Sequence, residues 1–286
     1  MVFGGDTADS YYDEGVTAAM RGDVEQAIQH FNRTITLDDS YLAAYHQLGR
    51  CYMRMGKLQD AIDLFVRVIK EKPHQIPIRI DLGNALMEMG KFREASQVFD
   101  EVLQVKPANQ RAQLGLAHCA FNQGKWEESM QLAQAASLMG QPLFSTLYLL
   151  GRAALMGGHH VIAEQALGEA MRQVDQMVET SPEHPEGYYL RGEILMMHQK
   201  YAEARDALDA AENRAKPNVQ YSAYGEHFSL LDILNRLGVC YGHLGANEKA
   251  TAIGQRILTL DPENKGGMKL AGNSEDSQSV EENESS

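Results

Sequence analysis

Positive charge is scarce in this chain: 26 lysines and arginines face 39 aspartates and glutamates, for a formal net charge of −13. That balance argues against sequence-independent binding to nucleic-acid phosphates, which relies on a basic face and released counterions. It argues equally against attachment to an anionic membrane surface. Apolar runs are short, and none approaches the ~20 residues of a membrane-spanning helix. The opening Met1-Val2-Phe3-Gly4-Gly5-Asp6 has neither a basic lead nor an apolar stretch, so no secretory signal is expected. Cysteine is rare as well. Cys51, Cys119 and Cys240 lie in separate segments and read as reduced core thiols of a cytoplasmic protein, not as a disulfide or metal set.

Motifs that carry chemistry are equally thin. Gly56-Lys57, Gly90-Lys91 and Gly124-Lys125 suggest a phosphate loop, but none is followed by Ser or Thr, and none has a glycine five residues earlier. His159-His160 has no third ligand nearby in the sequence and reads as a solvated turn. No zinc-protease helix, paired-cysteine site or nucleotide fingerprint occurs, so no metal or cofactor is expected.

What the chain does have is glycine at a fixed period. Gly15, Gly49, Gly83 and Gly151 lie on a 34-residue grid with Ala117 at its vacant node, and Gly192 and Gly238 continue it at wider spacing. Seven residues after each node come Gly22, Gly56, Gly90, Gly124, Gly158, Gln199 and Gly245. Twelve after come Ala27, Ala61, Ala95, Ser129, Ala163, Ala204 and Ala250; sixteen after come Phe31, Phe65, Phe99, Ala133, Leu167, Leu208 and Gly254. Pro73, Pro107 and Pro262 close their segments. A period of this size marks stacked supersecondary units, each in contact only with its neighbours.

Each mark has a mechanical reading. The node residue and the later alanine are expected on facing helices, where small side chains allow close approach. The second glycine ends the first helix in a left-handed turn. The bulky residue fills the space between neighbours, and the proline ends the unit. Every unit is therefore read as helix, turn and helix.

The run Tyr45, Leu48, Gly49, Tyr52, Gly56, Ala61, Phe65, Val68, Pro73 resembles the tetratricopeptide repeat pattern slot by slot, as does Leu82, Gly83, Leu86, Gly90, Ala95, Phe99, Val102, Pro107. The resemblance implies an all-α, right-handed superhelical solenoid of about seven units with a short C-terminal capping helix. The units fall at 8–41, 42–75, 76–109, 110–143, 144–184, 185–230 and 231–264. A short lead at 1–7 precedes them, and a degenerate capping helix at 265–272 follows. The segment 273–286 carries Glu275, Asp276, Glu281, Glu282 and Glu284 with no base and is expected to be disordered. Unit four departs from the pattern at Ala117 and Ala133, and unit seven at Gly254. The apolar rhythm from Ala163 to Val178 predicts one long helix. The insertion 216–228 is expected to lengthen the following helix at its start; the alternative is a loop folded back on the array.

In this family the first helices line the concave face, so the resemblance implies that ligands bind there. The slots that face it hold Arg50, Arg54, Asn84, His118, Asn122, Tyr148, Arg152, Met156 and Tyr189. Arginine and tyrosine dominate interface hot spots, and methionine repacks around varied apolar partners. Arg50 and Arg54, four apart on one face, suit an acidic or carboxylate-bearing peptide. The clamp by which chaperone adaptors of the family hold a C-terminal carboxylate is not expected, because only Asn84 fits its slots. The leading expectation is a noncatalytic scaffold for a protein or peptide partner. A catalytic role with His118 in a pocket is the alternative, and a repeat-type RNA binder comes last. If the nodes are packing positions, Gly83→Leu will lower stability in urea unfolding by about 1–3 kcal/mol or more through overpacking.

Overall fold

Where a repeat carries both glycines, they do different jobs. The later one bends the chain: Gly22, Gly56, Gly90, Gly124, Gly158 and Gly245 all have φ between 71° and 86°. At the exceptional slot Gln199 takes the same left-handed conformation, φ 57°. The turn is thus imposed by the hairpin geometry, with glycine as its least strained occupant. The Gly-Lys pairs are inter-helix turns, with Lys57, Lys91 and Lys125 at the helix starts.

The computed structural model describes residues 7–223 and 226–272. Fifteen helices and one two-stranded hairpin occur among them. The backbone divides into two units, one ending at Pro142 and the other starting at Leu143. The division falls between the helices that end at Ser137 and begin at Phe144, at the end of the fourth repeat. The acidic segment 273–286 and the lead up to Asp6 lie outside the described residues.

The N-terminal unit holds α1 (Ala8–Arg21), α2 (Val24–Leu37), α3 (Leu42–Arg54), α4 (Leu58–Glu71), α5 (Ile76–Glu88), α6 (Phe92–Val105), α7 (Gln110–Asn122) and α8 (Trp126–Ser137). Each helix packs on the next, and the first helices of successive repeats also touch: α1 on α3, α3 on α5 and α5 on α7. The node glycines explain this stacking. A Cβ on Gly15, Gly49 or Gly83 would lie 2.5–2.6 Å from the ring of Phe31, Phe65 or Phe99. The missing side chain therefore makes room for the bulky residue sixteen positions on, not for the alanine at twelve. The alanines at Ala27, Ala61 and Ala95 are fully buried beside it. The fourth repeat uses another device. Buried Ser129 donates its hydroxyl to the Ala117 carbonyl at 2.8 Å, and Gly115 presses on the Phe99 ring from the following helix.

The C-terminal unit holds α9 (Phe144–Met156), α10 (His160–Thr180), α11 (Pro185–Met197), α12 (Tyr201–Glu212), β1 (Tyr221–Ala223), β2 (Glu226–Phe228), α13 (Leu230–His243), α14 (Asn247–Leu260) and α15 (Lys265–Leu270). Gly151 receives Leu167 and Gly192 receives Leu208. The seventh repeat lacks its own bulky residue, and α15 supplies one. A Cβ on Gly238 would lie 2.2 Å from Leu270, and one on Gly254 would lie 2.8 Å from the same residue. Gly272 takes φ 78° just past this short helix.

The insertion does not lengthen α13. It forms an antiparallel hairpin in which Tyr221 pairs with Phe228 and Ser222 with His227. Two local signals account for this. Asn218 adopts a left-handed φ of 60° after Pro217, and Ser222 and His227 are exposed while Ala223 and Phe228 are buried, the alternation of a strand. Ser229 then fixes the start of α13 through a capping box with Asp232.

Gln199→Gly should raise stability by about 1 kcal/mol in urea unfolding, since the left-handed strain disappears. Leu270→Ala should lower it by about 2–5 kcal/mol through the cavity left between Gly238 and Gly254.

Candidate functional site

In the N-terminal unit the first-helix residues form a mixed surface. Arg54 reaches back to α1, its Nη1 donating to the Ala19 carbonyl at 3.0 Å. Arg50 lies beside it, with Nε 3.9 Å from Asp81 Oδ2. His46 Nε2 meets the same carboxylate oxygen at 2.7 Å and packs edge-on against Phe65. Between α1 and α3 is a cleft of about 170 Å³, lined by Val16, Met20, Gln47, Arg50, Cys51 and Arg54, among others. Met20 is 84% exposed at its rim. Farther along, Asn84 and His118 are half-buried, and exposed Asn122 donates to the His118 carbonyl at 2.9 Å.

In the C-terminal unit the expected residues separate. Met156 is 56% exposed, and the Arg152 guanidinium lies 5.4 Å from the centre of the Tyr148 ring. Tyr148 itself is only 3% exposed, stacked on Phe144, so it supports Arg152 from beneath and offers no surface. Tyr189 is 7% exposed because the hairpin covers it, with the Phe228 ring stacked at 4.0 Å. Both tyrosines are corrected from groove residues to packing residues.

Behind Tyr189 is a polar network that the sequence reading did not assemble. Arg236 Nε lies 2.8 Å from Glu193 Oε1 in an ion pair. Glu193 is 9% exposed. Burial, then the Glu193 charge, push the Tyr189 hydroxyl well above its ordinary range. The same two causes push the Cys240 thiol up to about 11. That Glu193 pairs with Arg236, one turn after the capping box, had no signal in the spacing.

Family profiles described as tetratricopeptide repeat match residues 12–76, 53–104, 86–155 and 147–219. Together they run without a break from 12 to 219. The chain belongs to the tetratricopeptide repeat family.

Solved structures agree on the fold. A tetratricopeptide repeat protein from Parabacteroides merdae superposes with a TM-score of 0.66 at 14% identity, covering 93% of this chain and 98% of that one. MamA from Desulfovibrio magneticus does so at 0.54 and 21% identity, covering 59% and 95%. Another MamA structure gives 0.52 at 17%, covering 62% and 96%. Among curated proteins no sequence matches. The tetratricopeptide repeats make this chain a protein-interaction scaffold in the general sense. No described helix is long and apolar enough to cross a membrane.

Cys240 gives a pH test of the polar network. The thiol is raised from about 9 to about 11 in the folded state, so the unfolded chain releases its proton first. The contribution is fully present below pH 9 and is lost as pH rises towards 11. Urea unfolding across that window should show stability falling more steeply in wild type than in Cys240→Ala, by on the order of 2 kcal/mol.

Proposed function

We propose that the N-terminal unit binds a segment of a partner polypeptide across its first helices, seating an apolar side chain beside Met20 and an acidic group against Arg50 and Arg54. The observation that carries this reading is the cleft of about 170 Å³ bounded by those three residues. It is below the roughly 300–1,000 Å³ of small-molecule sites and suits a single side chain. Both guanidiniums are exposed, and each keeps N–H donors beyond the bonds it makes within the chain. On a chain of net charge −13, two adjacent forks on one face form a local site for a carboxylate. Met20 adds a pliable apolar edge. In the C-terminal unit Arg152 and exposed Met156 repeat the same pairing of cation and methionine. This is a noncatalytic role in a cytoplasmic protein, with an acidic peptide as ligand and neither nucleic acid nor membrane as partner.

A random peptide library displayed against the full chain tests this. Wild type should enrich peptides with Asp or Glu next to Leu, Met or Phe. Arg50→Glu with Arg54→Glu should weaken the enriched peptides by about tenfold or more, a loss of ~1.4 kcal/mol, at unchanged helicity and Tm. Equal affinity in the double variant would overturn the assignment of this face.

A further inference from the structure

The C-terminal unit contains a cavity of about 650 Å³ between α13, α14 and α15. That volume lies within the roughly 300–1,000 Å³ typical of small-molecule sites. Its apolar wall is formed by Val239, Ala250 and Leu270. Two cations enter it from different helices, Arg236 on α13 and Lys269 on α15. The acid on the wall, Asp232, is already engaged: it accepts from the Ser229 amide at 2.7 Å and from the Ser229 hydroxyl at 2.6 Å. Arg236 is held from behind by its ion pair with buried Glu193 at 2.8 Å. A guanidinium fixed this way presents its remaining donors as a preorganised fork.

Three glycines line the same space, and one of them has no packing reason. Gly238 must be bare because of Leu270, and Gly266 because a Cβ there would lie 2.1 Å from Asn235 Oδ1. Gly242 has no neighbour within 4 Å of an added Cβ. A glycine inside a helix is less stable there than alanine, and here no described neighbour requires it. A side chain at this position would reach into the cavity instead.

We propose that this cavity binds a small amphipathic anion, with its head between Arg236 and Lys269 and its apolar body against Val239 and Leu270. The site is separate from the peptide face of the N-terminal unit, and the reading of that face does not bear on it.

The test is calorimetric titration of the full chain with octanoate, octyl phosphate and octylammonium. At least one anion should saturate a single site per chain while the ammonium does not, and the tighter of the two identifies the head as carboxylate or phosphate. Gly242→Leu should weaken the anion by about tenfold or more at an unchanged or higher Tm, and exposed Lys269→Gln by about fivefold. No saturation by either anion, equal binding of octylammonium, or undiminished affinity in both variants would overturn the proposal.

Discussion

A large side chain received by a glycine on the partner helix is the contact on which the architecture rests. Phe31, Phe65 and Phe99 in one unit and Leu167 and Leu208 in the other are fully buried, each over the backbone of the helix before it. A Cβ at those glycines would overlap the ring or isobutyl group, so the two helices can sit at this distance only while the node stays bare. The bulk comes from sixteen residues downstream, so each hairpin closes through local contacts, and stacking then adds one hairpin to the next. The variations follow the same logic. Where the fourth repeat has small residues at both positions, a buried hydroxyl ties the helices together instead.

This packing also orders the residues that follow each node. The residue after the node lies away from that contact: Arg50 is exposed and Arg152 half-buried there, whereas Glu193 is buried. The same register explains the two tyrosines. Tyr148 and Tyr189 lie four before that position, yet Phe144 packs beneath one and the hairpin strand covers the other. Repeat position fixes direction, and insertions decide what is left exposed.

The repeat count, the left-handed turns and the long α10 were legible in the sequence because each rests on a periodic or single-residue signal. The hairpin at 221–228 was not. Its alternation spans only a few residues, and its aromatic residues suit a helix as well as a strand. The partner of the node glycine was misjudged for another reason: the alanine at twelve and the bulky residue at sixteen share a helical face, and period alone cannot say which meets the glycine. Arg50 and Arg54 could be placed on one helix face from their slots, but the cleft beside them could not. The cavity of the C-terminal unit could not either, since it depends on where α15 lands and on the pairing of buried Glu193 with exposed Arg236.

Leu270 fills the gap between Gly238 and Gly254 while its neighbour Lys269 lines the cavity. The seventh repeat thus takes its keystone from outside itself, and the element that completes the fold also walls the empty space. Thermodynamic linkage follows: whatever occupies that space and the docking of the terminal helix must strengthen each other by equal amounts of free energy. The far end of the array would register occupancy as a change in its own order.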